Sequence, residues 1–408
     1  MNTFVVADNI ISPLGFTSSE NFEQLKQMKT GVKRLENTPL SAEPVCAAVI
    51  NTDKLNSEFA KLTTNNIEYK EYTRLEKMAI LSINDCLKQN SNIDITNKKT
   101  LLVLSTTKGN IDLLDASLAS KFDKKRVYLW ETANIISNYF KNPNQAIVVS
   151  NACISGVLAI IIAKRLLEDT KYDTIIVCGV DIMTPFVVSG FQSFMAISNE
   201  VAKPYDAKRD GISLGEGCGT IVLTNDKSKV VTLSATEGRS SRAESRDEGQ
   251  QLITVSGGAS SNDANHISGP SRTGDGLFLA IDKTLKESNI QASKVDYISG
   301  HGTATVYNDD MESIAITDAK LASVPMNSLK SYFGHTLGAA GVIESIIGIV
   351  SMRENTLIGT YNFSELGVTM PINIIKETQS AVVNNCLKTS AGFGGCNAAV
   401  LFQKVQND

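Results

Sequence analysis

At 408 residues with 42% hydrophobic content, the chain can bury a large core and has the composition of a soluble globular protein. A formal charge of −4 offers no whole-chain attraction to nucleic acid or to an anionic membrane. Its seven cysteines are scattered, odd in number and free of any C-x-x-C pair, which argues against a disulfide framework or zinc ribbon and for a reducing, cytoplasmic compartment.

The N-terminal stretch "MNTFVVADNIISPLG" has no basic region, so no signal peptide is expected, and "TFVVAD" predicts a first strand. A helix is expected over 66–88. The runs "LLVLST", "AIVVSN", "TIIVCGV" and "GTIVLTN" predict four more strands, and "VLAIIIAKRLLE" a buried helix. The longest apolar run, "GVLAIIIA", stops at Lys164 and is too short to span a bilayer. Polar stretches at 225–230 and 237–251 mark a junction, which divides the chain into halves 1–228 and 229–408. The second half continues with "KVVTLSA", "VDYISGHGT", "MNSLKS", "SAVVNN" and "NAAVLFQ". Val/Ile-rich strands separated by helix-length segments imply a layered α/β architecture with sheets covered on both faces.

Two segments share one pattern. "VVSNACISGVLAIIIAKRLLE" and "LKSYFGHTLGAAGVIESIIGIVSMRE" each run strand, small-residue turn, then a helix apolar on all sides. Each sets a reactive side chain, Cys153 or His335, close to the expected helix start. A pseudo-duplicated fold with reactive groups meeting at its centre follows.

The turn "SNACISG" gives Cys153 a chemical reason for its place. Unpaired N–H groups and the positive end of the helix dipole favour thiolate over thiol, and a thiolate can accept an acyl group from another thioester. The other six cysteines read as small buried residues. All three histidines, His266, His301 and His335, sit in small-residue turns. A Cys/His zinc site is the competing reading, but no short-range ligand pair such as H-x-x-x-H nucleates one.

Six motifs in order resemble those of a β-ketoacyl-acyl-carrier-protein synthase, a condensing enzyme of the thiolase superfamily: "IISPLG", "SNACISG", "KPYDAKRDGISLGEGCG", "GHGTATVYNDDME", "NSLKSYFGHTLGAAG" and "AGFGGCNAAVLF". The resemblance implies a five-layered α-β-α-β-α thiolase-like fold of two pseudo-duplicated halves. It implies decarboxylative Claisen condensation of an acyl thioester with malonyl-carrier protein, in fatty acid or polyketide and polyene synthesis. No metal or redox cofactor is expected, because phosphopantetheine arrives on the carrier.

By resemblance Cys153 takes the acyl chain, while neutral His301 and His335 stabilise the enolate left by decarboxylation. Lys330 matches the family's active-site lysine, with Glu312 expected as its partner. Thr303 and Thr305 are expected to hold the phosphopantetheine arm, Phe393 to gate the two substrates, and His266 to join the substrate contacts. The backbone N–H groups of Cys153 and Phe393 resemble an oxyanion hole. Lys108 stands where typical fatty-acid synthases line the acyl pocket with an apolar residue, which implies short, unsaturated or oxygen-bearing chains.

The expected partners are acyl carrier protein and a second subunit, in a homodimer or in a heterodimer with a related chain. Lys203, with Lys70, Arg74 and Lys77 on helix 66–88, is a candidate basic patch for an acidic carrier. Two rivals stay open. One is a non-catalytic, chain-length-determining subunit, which retention of Cys153, His301, His335 and Lys330 opposes. The other is thiolase chemistry with Cys396 as a second cysteine.

Overall fold

The computed structural model describes residues 2–62, 72–115, 121–230, 251–263 and 269–406. Among the described residues five strands of a ten-stranded sheet come from the first half: β1 (Phe4–Ile11), β2 (Thr100–Ser105), β3 (Ile147–Val149), β4 (Thr174–Asp181) and β5 (Gly217–Thr224). Five come from the second: β6 (Gln251–Asn262), β7 (Tyr297–Ser299), β8 (Met326–Asn327), β9 (Asn385–Gly392) and β10 (Cys396–Gln406). Their order is β8-β7-β9-β10-β6-β1-β5-β4-β2-β3. Each half therefore runs third, second, fourth, fifth, first. In both, the first three of these neighbours are parallel, and the next two pairings are antiparallel. The halves join at a single pairing, Phe4 with Thr254.

The flanking helices are α1 (Arg74–Gln89), α2 (Leu129–Tyr139), α3 (Ser155–Glu168), α4 (Pro185–Ser193), α5 (Asp275–Glu287), α6 (Val306–Asp318) and α7 (Ala340–Glu354). Alternate residues of one strand go to opposite faces. Leu102 and Leu104 pack outward with Met78 and Ile83 of α1 and Ile136 of α2. Leu101 and Val103 pack inward with Ile160 of α3 and Ile346 of α7. On the far side Leu387 and Leu401 meet Ile281 of α5 and Met311 of α6. The layers are thus α-β-α-β-α, the thiolase-like arrangement, with α3 and α7 in the middle and no solvated face, as their apolar sequences require.

The two central helices cross at a pair of glycines. A Cβ on Gly156 would lie 2.7 Å from the Val342 nitrogen, and one on Gly341 would lie 2.4 Å from the Val157 nitrogen. No larger residue lets the backbones approach so closely.

Three expectations shift. The strand placed at "SAVVNN" forms instead as β9, Asn385–Gly392, because the lysine at 388 hid the apolar character of that run. "MNSLKS" contracts to a two-residue strand before a short helix, Lys330–Phe333. The helix expected over 66–88 begins at Arg74, where Thr73 and Glu76 form a reciprocal capping box. Residues 63–71 and 231–250 lie outside the described residues, and with them Lys70 and most of the polar junction. Among the described residues no helix is long and apolar enough to cross a membrane.

Candidate active site

Cys153 and His335 occupy matching places, just before α3 and just before α7. The Cys153 turn is held by Ser155, whose N–H and hydroxyl both donate to the Ala152 carbonyl while its hydroxyl oxygen accepts from the Asn151 N–H at 2.8 Å. Ala152 is left with φ of +43°, a left-handed conformation that a non-glycine residue keeps only where its surroundings impose it. The Cys153 carbonyl accepts from the Ser390 hydroxyl at 3.2 Å. A Cβ on Gly392 would lie 3.1 Å from the Cys153 nitrogen, so the end of β9, with Phe393 after it, abuts the nucleophile turn.

His335 is fixed through its backbone. Its N–H donates to Ser213 O at 2.7 Å, and its carbonyl accepts from Gly215 N at 3.1 Å, which accounts for "GISLGEG". His301 follows β7. Its N–H donates to Glu312 at 2.7 Å and that of Gly302 to the same carboxylate at 2.8 Å. Asp309 accepts the next two N–H groups, from Thr303 and Ala304.

These turns bring Cys153 Sγ and one ring nitrogen of each of His301 and His335 within 4.8 Å of one another. The two imidazoles meet edge to face with centroids 5.4 Å apart. All three side chains are buried, and His301 Nδ1 and both His335 ring nitrogens have no hydrogen-bond partner among the described residues. Buried polar atoms left open in this way call for an outside partner, here a substrate oxygen or proton.

Burial, with Lys330 next and Lys388 also acting, pushes both histidines well below their ordinary pKa, so both stand neutral with one N–H each. The same positive surroundings disfavour a cation at this trio. The Cys153 thiol departs from expectation. Burial pushes it up to about 12, Cys396 adds to the rise, and the Lys330 and Lys108 charges only partly offset it. The resting group is a thiol, and its proton leaves when a substrate is attacked.

The expected Lys330–Glu312 pair is not made. Lys330 Nζ lies 2.7 Å from Glu344 on α7, and Lys388 Nζ lies 2.5 Å from the other oxygen of the same carboxylate. Glu312 is occupied elsewhere. Besides the His301 loop it accepts from the Tyr205 hydroxyl at 2.8 Å and the Thr389 hydroxyl at 2.7 Å. Glu344 and Lys388 escaped sequence reading. The signal was present as a lone charge in an apolar helix, "GVIESII", and a lone lysine in an apolar strand, "CLKTSAG".

A cavity of about 350 Å³ leads to the trio, lined also by Thr303, Thr305 and Phe393. The two threonine hydroxyls are 2.8 Å apart. Phe393, 38% exposed, packs at the mouth on Phe191 and Phe194 with centroids at 5.7 and 5.4 Å. Lys108 does not line this cavity. It lies on the turn after β2, half-buried, with Nζ 3.1 Å from the Thr107 hydroxyl, and its charge acts on Cys153, His335 and Asp181. Asp181 accepts from Thr106, Thr107 and Gly338, tying that turn to the His335 loop.

His266 lies outside the described residues. The expected basic patch is also revised. Arg74 turns inward to Glu216 and Ile50 O, Lys77 donates to Asn56, and Lys203 pairs with Glu200 at 2.6 Å.

A family model described as the beta-ketoacyl synthase N-terminal domain matches residues 4–229, and the model of the C-terminal domain of the same enzymes matches 252–364. The chain is 28% identical to a putative mitochondrial 3-oxoacyl-[acyl-carrier-protein] synthase of Schizosaccharomyces pombe, over 97% of both. It is 25% identical to 3-oxoacyl-[acyl-carrier-protein] synthase 2 of Vibrio harveyi, over 98% of both. Among solved structures it resembles a ketosynthase in complex with its chain length factor from Xenorhabdus doucetiae. That match has a TM-score of 0.83 at 22% identity and covers 99% of this chain and 98% of that one. The ishigamide ketosynthase/chain length factor gives 0.84 at 22%, over 98% of each. At that identity the likeness speaks for the fold.

Proposed function

The chain belongs to the beta-ketoacyl synthase family, and we propose that it is a 3-oxoacyl-[acyl-carrier-protein] synthase that builds carbon–carbon bonds through Cys153. The observation that carries the assignment is the approach of Cys153 to two neutral, unpartnered imidazoles. In the first half-reaction Cys153 sulfur bonds the acyl carbonyl carbon, its proton departs, and the carrier's phosphopantetheine thiol leaves. In the second, malonyl thioester loses carbon dioxide, and the N–H groups of His301 and His335 stabilise the enolate oxygen. The enolate carbon then attacks the acyl carbonyl, and Cys153 is released as the leaving group. Burial, with Lys330 next, keeps the histidines neutral, which suits them as donors to an oxyanion.

The same reading gives Thr303 and Thr305 the phosphopantetheine arm and Phe393 the gate, since all three line the approach to Cys153. No metal or redox cofactor has a part in it. An acyl carrier protein would dock at the rim formed by Phe194, Met195 and Tyr307, all exposed. A partner subunit, a second copy or a related chain, would cover Leu114, Tyr128, Trp130 and Phe186, exposed on neighbouring elements. Seven free buried cysteines suit a reducing compartment, which we take to be the cytoplasm.

The rival of a non-catalytic chain-length subunit is tested with acyl-carrier and malonyl-carrier thioesters. Peptide mass spectrometry should find the acyl group on Cys153. Replacing His301 or His335 with alanine should abolish malonyl decarboxylation while Cys153 still becomes acylated. Label on Cys396 with Cys153 free, or decarboxylation unaffected by either change, would defeat the assignment.

A further inference from the structure

Lys388 is fully buried on β9, and nothing in the reaction described above uses it. Its ammonium donates to Gly300 O at 2.9 Å and Ser299 O at 3.2 Å, the two carbonyls that precede His301. The N–H of the Gly300–His301 peptide donates at its other end to Glu312 at 2.7 Å. One peptide unit is therefore held by a cation at its oxygen and an anion at its nitrogen, both charge-assisted and both dry. The neighbouring residues of β9 make related contacts: Thr389 donates to Glu312 and Ser390 to the Cys153 carbonyl. Three consecutive residues of one strand thus hold the His301 loop, its carboxylate anchor and the nucleophile turn.

Lys388 also changes the charge count. Among the described residues Glu344 is the carboxylate that forms ion pairs with both Lys330 and Lys388. Burial lowers the Lys388 pKa and Glu344 opposes that fall, so with both lysines protonated the three-group cluster carries one excess positive charge. The groups that face the two imidazoles come from several elements. They are Lys388 on β9, Lys330 on the short helix before His335, Lys108 after β2, Glu344 on α7, Glu312 on α6, and Cys153.

We propose that Lys388 is a positioning residue for the decarboxylation step. It fixes the peptide from which His301 projects, and it supplies the excess charge behind the two imidazoles. The inference rests on the role given above to His301 and His335. In wild type burial is the main cause that keeps both rings neutral, and hence active as N–H donors, at pH values where an ordinary histidine would be protonated; Lys330 adds to it, and Lys388 acts in the same direction by a smaller amount.

The test is the pH dependence of carbon dioxide release from malonyl-carrier protein between about pH 5 and pH 8. Rates are counted per Cys153 site titrated by acylation, so that only folded sites contribute. Wild type should hold its rate as the pH falls through 6.5, the ordinary value for histidine. Lys388→Met should lower the plateau about 10- to 100-fold, in line with displacement of a reacting group by up to about 1 Å. Its acidic limb should move to higher pH, because each ring loses a repelling cation. Lys388→Gln, which keeps a donor for Gly300 O without the charge, should lose less rate and show the same displacement of the limb. An unmoved limb in both variants, whatever the rate, would make Lys388 a packing residue and overturn the proposal. A wild type that acylates Cys153 and releases no carbon dioxide overturns the reaction assignment itself, and this inference with it.

Discussion

Replacing Gly156 with alanine perturbs the active site from beneath, without touching a reacting group. The new Cβ would stand 2.7 Å from the Val342 nitrogen and 3.0 Å from Gly341 Cα. To restore ordinary contact at about 3.4 Å, α3 and α7 must part by about 0.7 Å. Overpacking of this kind costs about 1–3 kcal/mol, and alanine's better helix propensity returns about 0.5–1 kcal/mol. We expect a net loss of about 1–2 kcal/mol and a Tm lower by about 1–3 °C for a chain of this size. The larger effect falls on chemistry, because Cys153 lies in the turn that leads into one of these helices and His335 in the turn that leads into the other. A separation of about 0.7 Å should slow condensation roughly tenfold or more. Turnover measured by intact mass of the carrier-bound product, beside a thermal melt, gives both quantities. Gly190→Ala on α4, where a Cβ meets nothing within 4 Å, is the control and should keep wild-type turnover. Wild-type turnover and Tm in Gly156→Ala would show that the helix crossing does not set the catalytic distances.

Glu344→Gln leaves two buried ammoniums without their carboxylate and should destabilise the fold by about 3–5 kcal/mol in denaturant titration, and a loss below about 1 kcal/mol would refute the buried triad. Burial works to raise the Glu344 pKa, but Lys330 and Lys388 together hold it below the ordinary 4.5. Its contribution is therefore present above that value and is lost as pH falls through the depressed one, a loss that the glutamine variant should lack. Lys108 lies outside the cavity that leads to Cys153, yet its charge partly offsets the burial that raises that thiol. Lys108→Ile should therefore slow acylation of Cys153 at neutral pH, and an unchanged acylation rate would show that the charge does not act on the nucleophile.

What the sequence revealed depended on how each residue is held. Cys153, His301 and His335 were legible because a thiol or imidazole flanked by small residues at a strand-to-helix joint is chemically pointed. The duplication was legible because α3 and α7 are both apolar on every face. The ion pairs were not. Glu344 lies in a helix that is buried and mostly apolar as far as Met352, and spacing alone could not tell it from the equally buried Glu312 as the partner of Lys330. The thiolate expected from the helix start gave way to burial, which no one-dimensional reading measures. Arg74 looked like a surface charge on an amphipathic helix, and only the fold brings Glu216, 142 positions later, against it.

The pairing of β1 with β5, from Phe4 to Ile11, and of Phe4 with Thr254 on its other side has a consequence for synthesis on the ribosome. The strand made first finds its neighbours only after residues 217–224 and then 254 have emerged. At about 5–20 residues per second that delay is roughly ten to fifty seconds. All eight β1 residues are buried in the finished protein, so the nascent chain carries a sticky, unpaired strand throughout that interval. Translation stalled before residue 217 should yield a product that chaperones hold or proteases clear, whereas a stall after residue 224 should release a first half whose five strands can already close on one another.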